Sequence, residues 1–181
     1  HRVVLVISKV TWVTFHNNTA TGIVCGIQMD HISTSSLGQS LFRCNFRGIY
    51  ANNVSSLSMH TLTFINNYAY NSQKGGAVEM KKISKCFIVE SIFIGNMAKA
   101  YGGAIYAELC IILCFYKVKF TYNSARIGAG IYLHELDSLI VVNSLFMGNE
   151  AGYSGGAIYY DGSYGGIVKV YRVSFINNTV T

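Results

Sequence analysis

The stretch Phe93-Ile94-Gly95-Asn96-Met97-Ala98, followed shortly by Gly102-Gly103-Ala104-Ile105-Tyr106, decides the fold because the same phrase returns along the chain. Its Phe-x-x-Asn part recurs at intervals of 22 to 29 residues, beginning at Phe15, Phe42, Phe64, Phe93, Phe120, Phe146 and Phe175. A period of about 20–50 residues is typical of a repeat architecture. Each interval therefore reads as one structural unit.

A glycine phrase follows most of these motifs. It occurs as Gly75-Gly76-Ala77-Val78, Gly102-Gly103-Ala104-Ile105, Gly128-Ala129-Gly130-Ile131 and Gly155-Gly156-Ala157-Ile158, with a degraded copy at Val24-Cys25-Gly26-Ile27. Glycine tolerates positive φ and close backbone approach, so the phrase predicts a corner. Alanine stands two residues after the Asn at Ala20, Ala69, Ala98, Ala125 and Ala151, whereas Arg47 breaks the pattern in the second unit.

Apolar and polar residues alternate between the glycine phrase and the next Phe, as in Val168-Lys169-Val170. A period of two predicts β-strands, and no window carries a sustained helical stripe. One unit cannot bury its own apolar side, but stacked units can. The sequence therefore predicts an all-β fold, a single-stranded right-handed parallel β-helix of about six to seven coils. Phe should stack on Phe, and Asn should hydrogen-bond to Asn from coil to coil.

We expect one domain over residues 1–181, with degenerate coils over 1–63 and regular coils over 64–181, as a fragment of a longer protein. The composition, 51% hydrophobic and 12% charged residues, is that of a chain with a packed core. No apolar run reaches the ~20 residues of a membrane-spanning helix. The net charge is +6, but the cations are scattered. The cluster Lys81-Lys82-Lys85 is short, so we predict no nucleic-acid partner.

The five cysteines show neither a CxxC pair nor zinc-ligand spacing, and they stand at Cys25, Cys44, Cys86, Cys110 and Cys114. We expect them to be small buried side chains, with one disulfide between neighbouring coils, for instance Cys86 with Cys114, left open. No metal site and no cofactor are predicted.

The sequence matches known catalytic motifs only incompletely. Gly152-Tyr153-Ser154-Gly155-Gly156 matches the G-x-S-x-G pattern of a nucleophile elbow but leads into a strand instead of a helix. His134-Glu135 lacks the second His of a zinc protease. If Glu79, Glu108 and Asp161 stacked, they would form an acidic ladder able to bind a cation or to act as an acid/base pair. The alternative is a set of solvated loop acids, and we predict no catalytic residue.

Tyrosines offer the best candidate binding face. Tyr106, Tyr132 and Tyr159 each follow the repeat Ile, so alternation predicts that they point outward and form a column. An exposed aromatic column suits a carbohydrate or protein ligand, while plain stacking between coils is the alternative.

Three sequons, beginning at Asn17, Asn53 and Asn177, could accept N-glycans in a eukaryotic secreted protein. Two of them coincide with the Phe-x-x-Asn turn itself, so the turn alone is sufficient to explain them.

The combination of Phe-x-x-Asn with Gly-Gly-Ala-Ile resembles the FxxN and GGA(I/L/V) repeats of chlamydial-type polymorphic outer membrane proteins. It is also similar to the wider right-handed parallel β-helix, or pectin-lyase-like, superfamily. The resemblance covers nearly the whole chain and is strongest from Phe64 to Asn178. It implies a secreted or surface-exposed domain, in the outer membrane if bacterial, used in adhesion.

We therefore expect a non-enzymatic, adhesin-like binding or structural module at the cell surface or secreted. Its expected partners are a carbohydrate or surface-protein ligand and the neighbouring coils of the full-length protein. The alternative is a carbohydrate-active enzyme on the same scaffold, a polysaccharide lyase or glycoside hydrolase. A third possibility is a purely structural segment.

Overall fold

A computed structural model describes residues 9–18, 26–70, 74–162 and 166–181. Within these ranges the chain forms strands and turns without a helix, and all strand pairs are parallel. Each unit winds once around a shared core, so the predicted parallel β-solenoid is confirmed, with about six turns. Its right-handedness stays a prediction. Ala20, Cys25 and Tyr164 lie outside the described residues.

The first sheet, called here the long sheet, holds the strands that follow the glycine corners. Its members are β1 (Lys9–Thr11), β3 (Ile27–Gly38), β5 (Ile49–His60), β8 (Val78–Val89), β11 (Ile105–Tyr116), β14 (Ile131–Val142), β17 (Ile158–Asp161) and β18 (Ile167–Tyr171). The order is β1-β3-β5-β8-β11-β14-β17, with β18 also beside β14. The five long strands bend at a residue of positive φ, namely His31, Asn53, Lys82, Leu109 and Glu135.

The second sheet carries the repeated phenylalanines and is called the phenylalanine sheet. Its strands are β2 (Thr14–His16), β4 (Leu41–Arg43), β6 (Thr63–Ile65), β9 (Ile92–Ile94), β12 (Lys119–Thr121), β15 (Leu145–Met147) and β19 (Ser174–Ile176). Each contains Phe at its centre, and the Phe rings pack as a continuous stack with centroids 4.7–5.2 Å apart. Coil spacing of about 4.8 Å sets this distance.

The third sheet, called the alanine sheet, is formed by β7 (Tyr68–Ala69), β10 (Met97–Ala98), β13 (Ser124–Ile127), β16 (Glu150–Ser154) and β20 (Thr179–Val180). Ala69, Ala98 and Ala125 are buried together as a small separate cluster. The side chains there must be small because the glycine corner lies directly against this sheet. A Cβ added to Gly103 would stand 2.5 Å from the Ser124 carbonyl oxygen and 2.3 Å from that of Ala129.

The predicted asparagine ladder is confirmed at the turn between the last two sheets. Asn96 donates from Nδ2 to Oδ1 of Asn123 (3.0 Å) and to the Phe64 carbonyl (3.1 Å). Its own Oδ1 accepts the backbone N–H and the Nδ2 group of Asn67. The same pattern joins the other members of the row, which are Asn18, Asn45, Asn149 and Asn178. The buried amides are thus satisfied by their own copies in adjacent coils.

A second hydrogen-bonding row, absent from the sequence-based prediction, lies where the long sheet turns into the phenylalanine sheet. Here serine alternates with an aliphatic residue from coil to coil. Ser91 Oγ accepts the backbone N–H of Leu62 (3.1 Å) and donates to the Val89 carbonyl (2.9 Å), and Ser40 and Ser144 do the same. Each serine therefore satisfies an N–H of the coil before it.

The second coil is short because only Phe46, Arg47 and Gly48 separate its ladder Asn from β5. Arg47 is fully buried and lies in the space that a longer connection fills elsewhere. Its Nη2 donates to the Lys74 carbonyl (3.0 Å), the kind of bond that the Gly75 backbone N–H makes to Tyr101 in the next coil. At the position where other units have Ala, the Arg47 side chain thus makes a hydrogen bond that a backbone N–H makes in the next coil.

The cysteines that the structure describes do not bridge the coils. Cys86 faces inward in register with Leu113, whereas Cys114 pairs with Phe87 in the adjacent, outward-facing row. The described cysteines, Cys44, Cys86, Cys110 and Cys114, are all free, so the Cys86–Cys114 disulfide left open by the sequence is not formed. Burial raises the pKa of the Cys110 thiol to about 11, which keeps it protonated.

Candidate functional site

The outer side of the long sheet carries two neighbouring rows that include the predicted site residues. The first, the tyrosine row, comprises in register Gln28, Tyr50, Glu79, Tyr106, Tyr132 and Tyr159. The second, the charged row, lies two residues further along each strand and comprises Asp30, Asn52, Lys81, Glu108, His134 and Asp161. Side chains alternate sides along a strand, so both rows lie on the same face.

The predicted tyrosine column is present as a stack. Ring centroids are 5.4 Å apart between Tyr106 and Tyr132 and 5.2 Å between Tyr132 and Tyr159, with nearly parallel planes. The expected exposure is wrong for two of the three, because Tyr106 is 2% and Tyr132 8% exposed. Tyr101, from the preceding corner, packs 4.8 Å from Tyr132, and the Lys74 ammonium lies 4.4 Å from the Tyr106 ring centroid.

The hydroxyl group of Tyr106 also belongs to a polar network. Its hydroxyl accepts from Lys74 Nζ (2.7 Å) and donates to Glu108 Oε2 (3.0 Å). Burial, reinforced by that hydrogen bond and the Glu108 charge, raises the pKa of Tyr106 well above its ordinary value. Burial is also the main cause that raises the pKa of Tyr132 to about 12. Both phenols are therefore neutral near physiological pH, which suits stacking and not proton transfer.

The acidic ladder considered as one possibility from the sequence does not form, because its members are not in register. Glu79 is in register with Tyr106, not with Glu108. Glu108 and Asp161 share the charged row but are separated by His134, whose Nδ1 lies 3.2 Å from Asp161 Oδ2. From Lys81 to Asp161, basic and acidic residues therefore alternate along the row, which removes the repulsion between like charges that a stack of carboxylates would have.

Glu108 is held ionised by its neighbours. Burial opposes ionisation, but the Tyr106 hydrogen bond and the charges of Lys74 and Lys81 outweigh it and hold the pKa of Glu108 below its ordinary value. The ion-pair distances to Lys74 and Lys81 are 3.6 and 4.0 Å. A general acid of glycoside chemistry needs a raised pKa, so Glu108 has the opposite tuning.

Glu79 lies beneath this surface. It forms a buried ion pair with Arg47 and a second pair with Lys81 at 3.0 Å. Burial lowers the pKa of Lys81, but the hydrogen bond and charge of Glu79 more than offset this, so that pKa is raised. The three charges form a network that joins the second coil to the third. The network has a structural role, because both carboxylate oxygens of Glu79 are paired with cations of the protein.

The other sequence motifs fall in separate places. Ser154 ends β16 and leads through Gly155 and Gly156 into β17, a strand–corner–strand arrangement that does not provide a nucleophile elbow. No group of three or more His, Cys, Asp or Glu that could hold a metal occurs among the described residues. In the same part of the chain, no helix is long and apolar enough to cross a membrane.

The sequon residues Asn17, Asn53 and Asn177 are exposed and have positive φ. Asn17 and Asn177 occupy the turn just before the ladder residues Asn18 and Asn178, while Asn53 is at the bend of β5. Thr19 of the first sequon lies outside the described residues. Modification at these three positions stays a prediction.

Two surface features were not predicted from the sequence. The position three residues before each Phe is a corner of positive φ, and it varies freely as Trp12, Gln39, Thr61, Glu90, Lys117, Asn143 and Arg172. Alignment of the units on their Phe would have revealed this row. The second feature is a groove of about 370 Å³ along the alanine sheet, whose outer wall includes Tyr70, Lys99 and Arg126.

Comparison with known proteins identifies the repeat. A family model described as the Chlamydia polymorphic membrane protein (Chlamydia_PMP) repeat matches residues 90–108 and 143–161. Both stretches begin at a corner residue, run through the phenylalanine and alanine sheets and the glycine corner, and end early in the long sheet. Neither the curated proteins nor the solved structures that were compared include a match. Two stretches of this parallel β-solenoid are therefore similar to the Chlamydia polymorphic membrane protein repeat.

Proposed function

We propose that the chain is a non-enzymatic, adhesin-like module displayed at a cell surface or secreted, and in the outer membrane if the source is bacterial. The observation that carries the proposal is the match of two repeats to a family of membrane proteins, each forming the same part of a coil. A rigid rod of repeats presents ligand-binding side chains along its length without needing a cleft.

The division between inward and outward rows supports a display function. Inward positions keep Phe, Asn and Ala in nearly every coil, whereas the corner row described above holds aromatic, polar, acidic and basic residues. Such variation on a constant frame suits recognition of a partner. The tyrosine row contributes to this surface mainly through Tyr159, since Tyr106 and Tyr132 are buried beneath neighbouring side chains on the outer side of the sheet. The pectin-lyase-like relationship remains a prediction.

Contact with the neighbouring coils of the full-length protein, by the same Phe-on-Phe stacking that joins the coils of this chain, is part of the proposal.

The test combines a glycan array and intact-cell binding with an assay of polyuronide degradation. We expect saturable binding to a surface ligand and no turnover. Turnover of a polysaccharide that is lost in Glu108→Gln, with folding retained, would show an enzyme and overturn the proposal. Tyr159→Ala should weaken binding more than the conservative Tyr159→Phe if its ring contacts the ligand.

A further inference from the structure

A basic surface, called here the basic corner, lies where the long sheet turns into the phenylalanine sheet. Lys117 and Arg172 occupy the variable corner position two coils apart, and Lys119 begins β12 beside them. Together with Asn143 and Ser174 they line an open groove of about 570 Å³. All five of these side chains are exposed.

The charge of this groove is predominantly positive. Three cations line it, and the acid within ion-pair distance is Glu90, whose Oε1 lies 3.0 Å from Lys117 Nζ. Both side chains of this ion pair are about half exposed, so the pair contributes little to stability and Lys117 can bind another anion in place of Glu90. The hydrogen bond that Lys117 donates to Glu90, together with the Glu90 charge, raises the pKa of Lys117, so the ammonium is charged at neutral pH.

Tyrosines hold two of the cations in place. The Lys117 ammonium lies 5.3 Å from the Tyr116 ring centroid, and the Arg172 guanidinium carbon lies 4.9 Å from that of Tyr171. Tyr116 and Tyr171 occupy equivalent positions, because both pair in register with Val142. A cation resting on a ring has fewer conformations to lose when it binds an anion.

The spacing of the cations follows the rod. Coils are about 4.8 Å apart, so cations two coils apart are separated by about 10 Å along the axis. Asn143 lies between them and offers amide hydrogen-bonding groups. A linear ligand lying parallel to the rod would thus meet cation, amide and cation in turn.

We propose that the basic corner binds a linear acidic polysaccharide, with its carboxylate or sulfate groups on Lys117, Lys119 and Arg172 and its hydroxyl groups on Asn143 and Ser174. The proposal rests on the surface function above, for which a carbohydrate is one of the expected ligands. Arg172 can bind an anionic group through two parallel N–H donors, which a lysine cannot do. A regularly spaced polymer fits the regular spacing of coils, and neutral sugars would leave the cations unused.

The experiment measures binding of the purified chain to dextran sulfate and polygalacturonate, with neutral dextran and single-stranded DNA as comparison polymers. The test variant is Lys119→Gln/Arg172→Gln. The matched control, Lys99→Gln/Arg126→Gln, removes the same charge from the alanine-sheet groove. We expect an affinity loss of about tenfold for the test variant, from two ion pairs of ~0.5–1 kcal/mol each, and less than about twofold for the control.

A gain-of-binding variant separates recognition from folding. Glu90→Gln removes the anion that competes for Lys117, so it should tighten binding to dextran sulfate, most clearly at low salt. Equal losses in the test and control variants would overturn the proposal, as would tighter binding to DNA than to either acidic polymer. Binding of the chain to array ligands without any affinity for acidic polysaccharides would refute the basic corner alone and leave the proposed surface function standing.

Discussion

Replacing Asn96 by Ala should sharply reduce stability, because the residue is fully buried in the middle of the asparagine ladder. Its side chain makes four hydrogen bonds. Alanine would leave the backbone N–H of Asn67 without its acceptor, remove one bond of the Asn67 amide, and take a donor from the Phe64 carbonyl. None of these groups is exposed, so bulk water is not at hand to replace the partner.

The expected loss follows from these groups. A buried polar group without a partner costs about 1–3 kcal/mol. Four groups are affected, and two of them, the Asn67 side-chain amide and the Asn123 amide oxygen, each keep one other hydrogen bond. Partial relaxation of the two neighbouring coils lowers the sum, so we expect the free energy of unfolding to fall by about 3–6 kcal/mol. Most single substitutions cost less.

The assay is urea unfolding followed by far-UV circular dichroism, comparing both midpoint and slope because repeat rods can unfold in parts. Asn178→Ala is the matched control. Its side chain is half-buried and makes three hydrogen bonds instead of four, and water that reaches this half-buried position can replace part of them, so we expect a clearly smaller loss than for Asn96→Ala. If Asn96→Ala unfolded within about 1 kcal/mol of the unchanged chain, or if the two variants were equally destabilised, the buried ladder would not have the role argued here.

Two further substitutions test the corner and the charged row. Gly103→Ala should lower the free energy of unfolding by more than about 2 kcal/mol, since its Cβ would lie 2.3 Å from the Ala129 carbonyl oxygen. Gly152→Ala is the control and should change that free energy by less than about 0.5 kcal/mol, because its Cβ would meet nothing nearer than 3.9 Å. Equal thermal unfolding of the two variants would contradict the packing argument. Because the pKa of Glu108 is lowered in the folded chain, its carboxylate stabilises fully above the ordinary value of 4.5, and this contribution is lost as pH falls through the lowered pKa. Glu108→Gln should therefore be less stable by about 1 kcal/mol at neutral pH and indistinguishable in strong acid, and a difference that grew on acidification would refute the assignment.

The coil itself could be predicted from the sequence because its inward residues repeat. Phe and Asn must meet their own copies one coil later, so a regular spacing in the chain becomes a regular stack in space. The serine row was harder to see, since its Ser residues occur in every second coil and alternate with Val or Leu. Each Ser bonds back to the coil before it, so the pattern emerges only after the units have been aligned on Phe.

The surface could be predicted less well, because exposure depends on neighbours outside the strand. Alternation placed Tyr106 and Tyr132 correctly on the outer side of the long sheet. It could not show that the preceding corner would place Tyr101 and Lys74 over them. Glu79 and Glu108 do not stack, because their positions relative to the glycine corner differ by two residues and this places them in different rows.

Arg47 shows how far a broken repeat can be interpreted physically. In the sequence it interrupts a row of alanines, and a buried arginine there would be a costly defect if nothing else had changed. The second unit, however, is also the shortest, so the corner backbone found in other coils is missing. The Arg47 guanidinium donates a hydrogen bond to the Lys74 carbonyl, and Glu79 neutralises its charge where the next coil has Tyr106. Three departures from the repeat, a short connection, an arginine and a glutamate, are therefore one structural solution, in which a side chain continues the hydrogen bonding of a backbone that is not there.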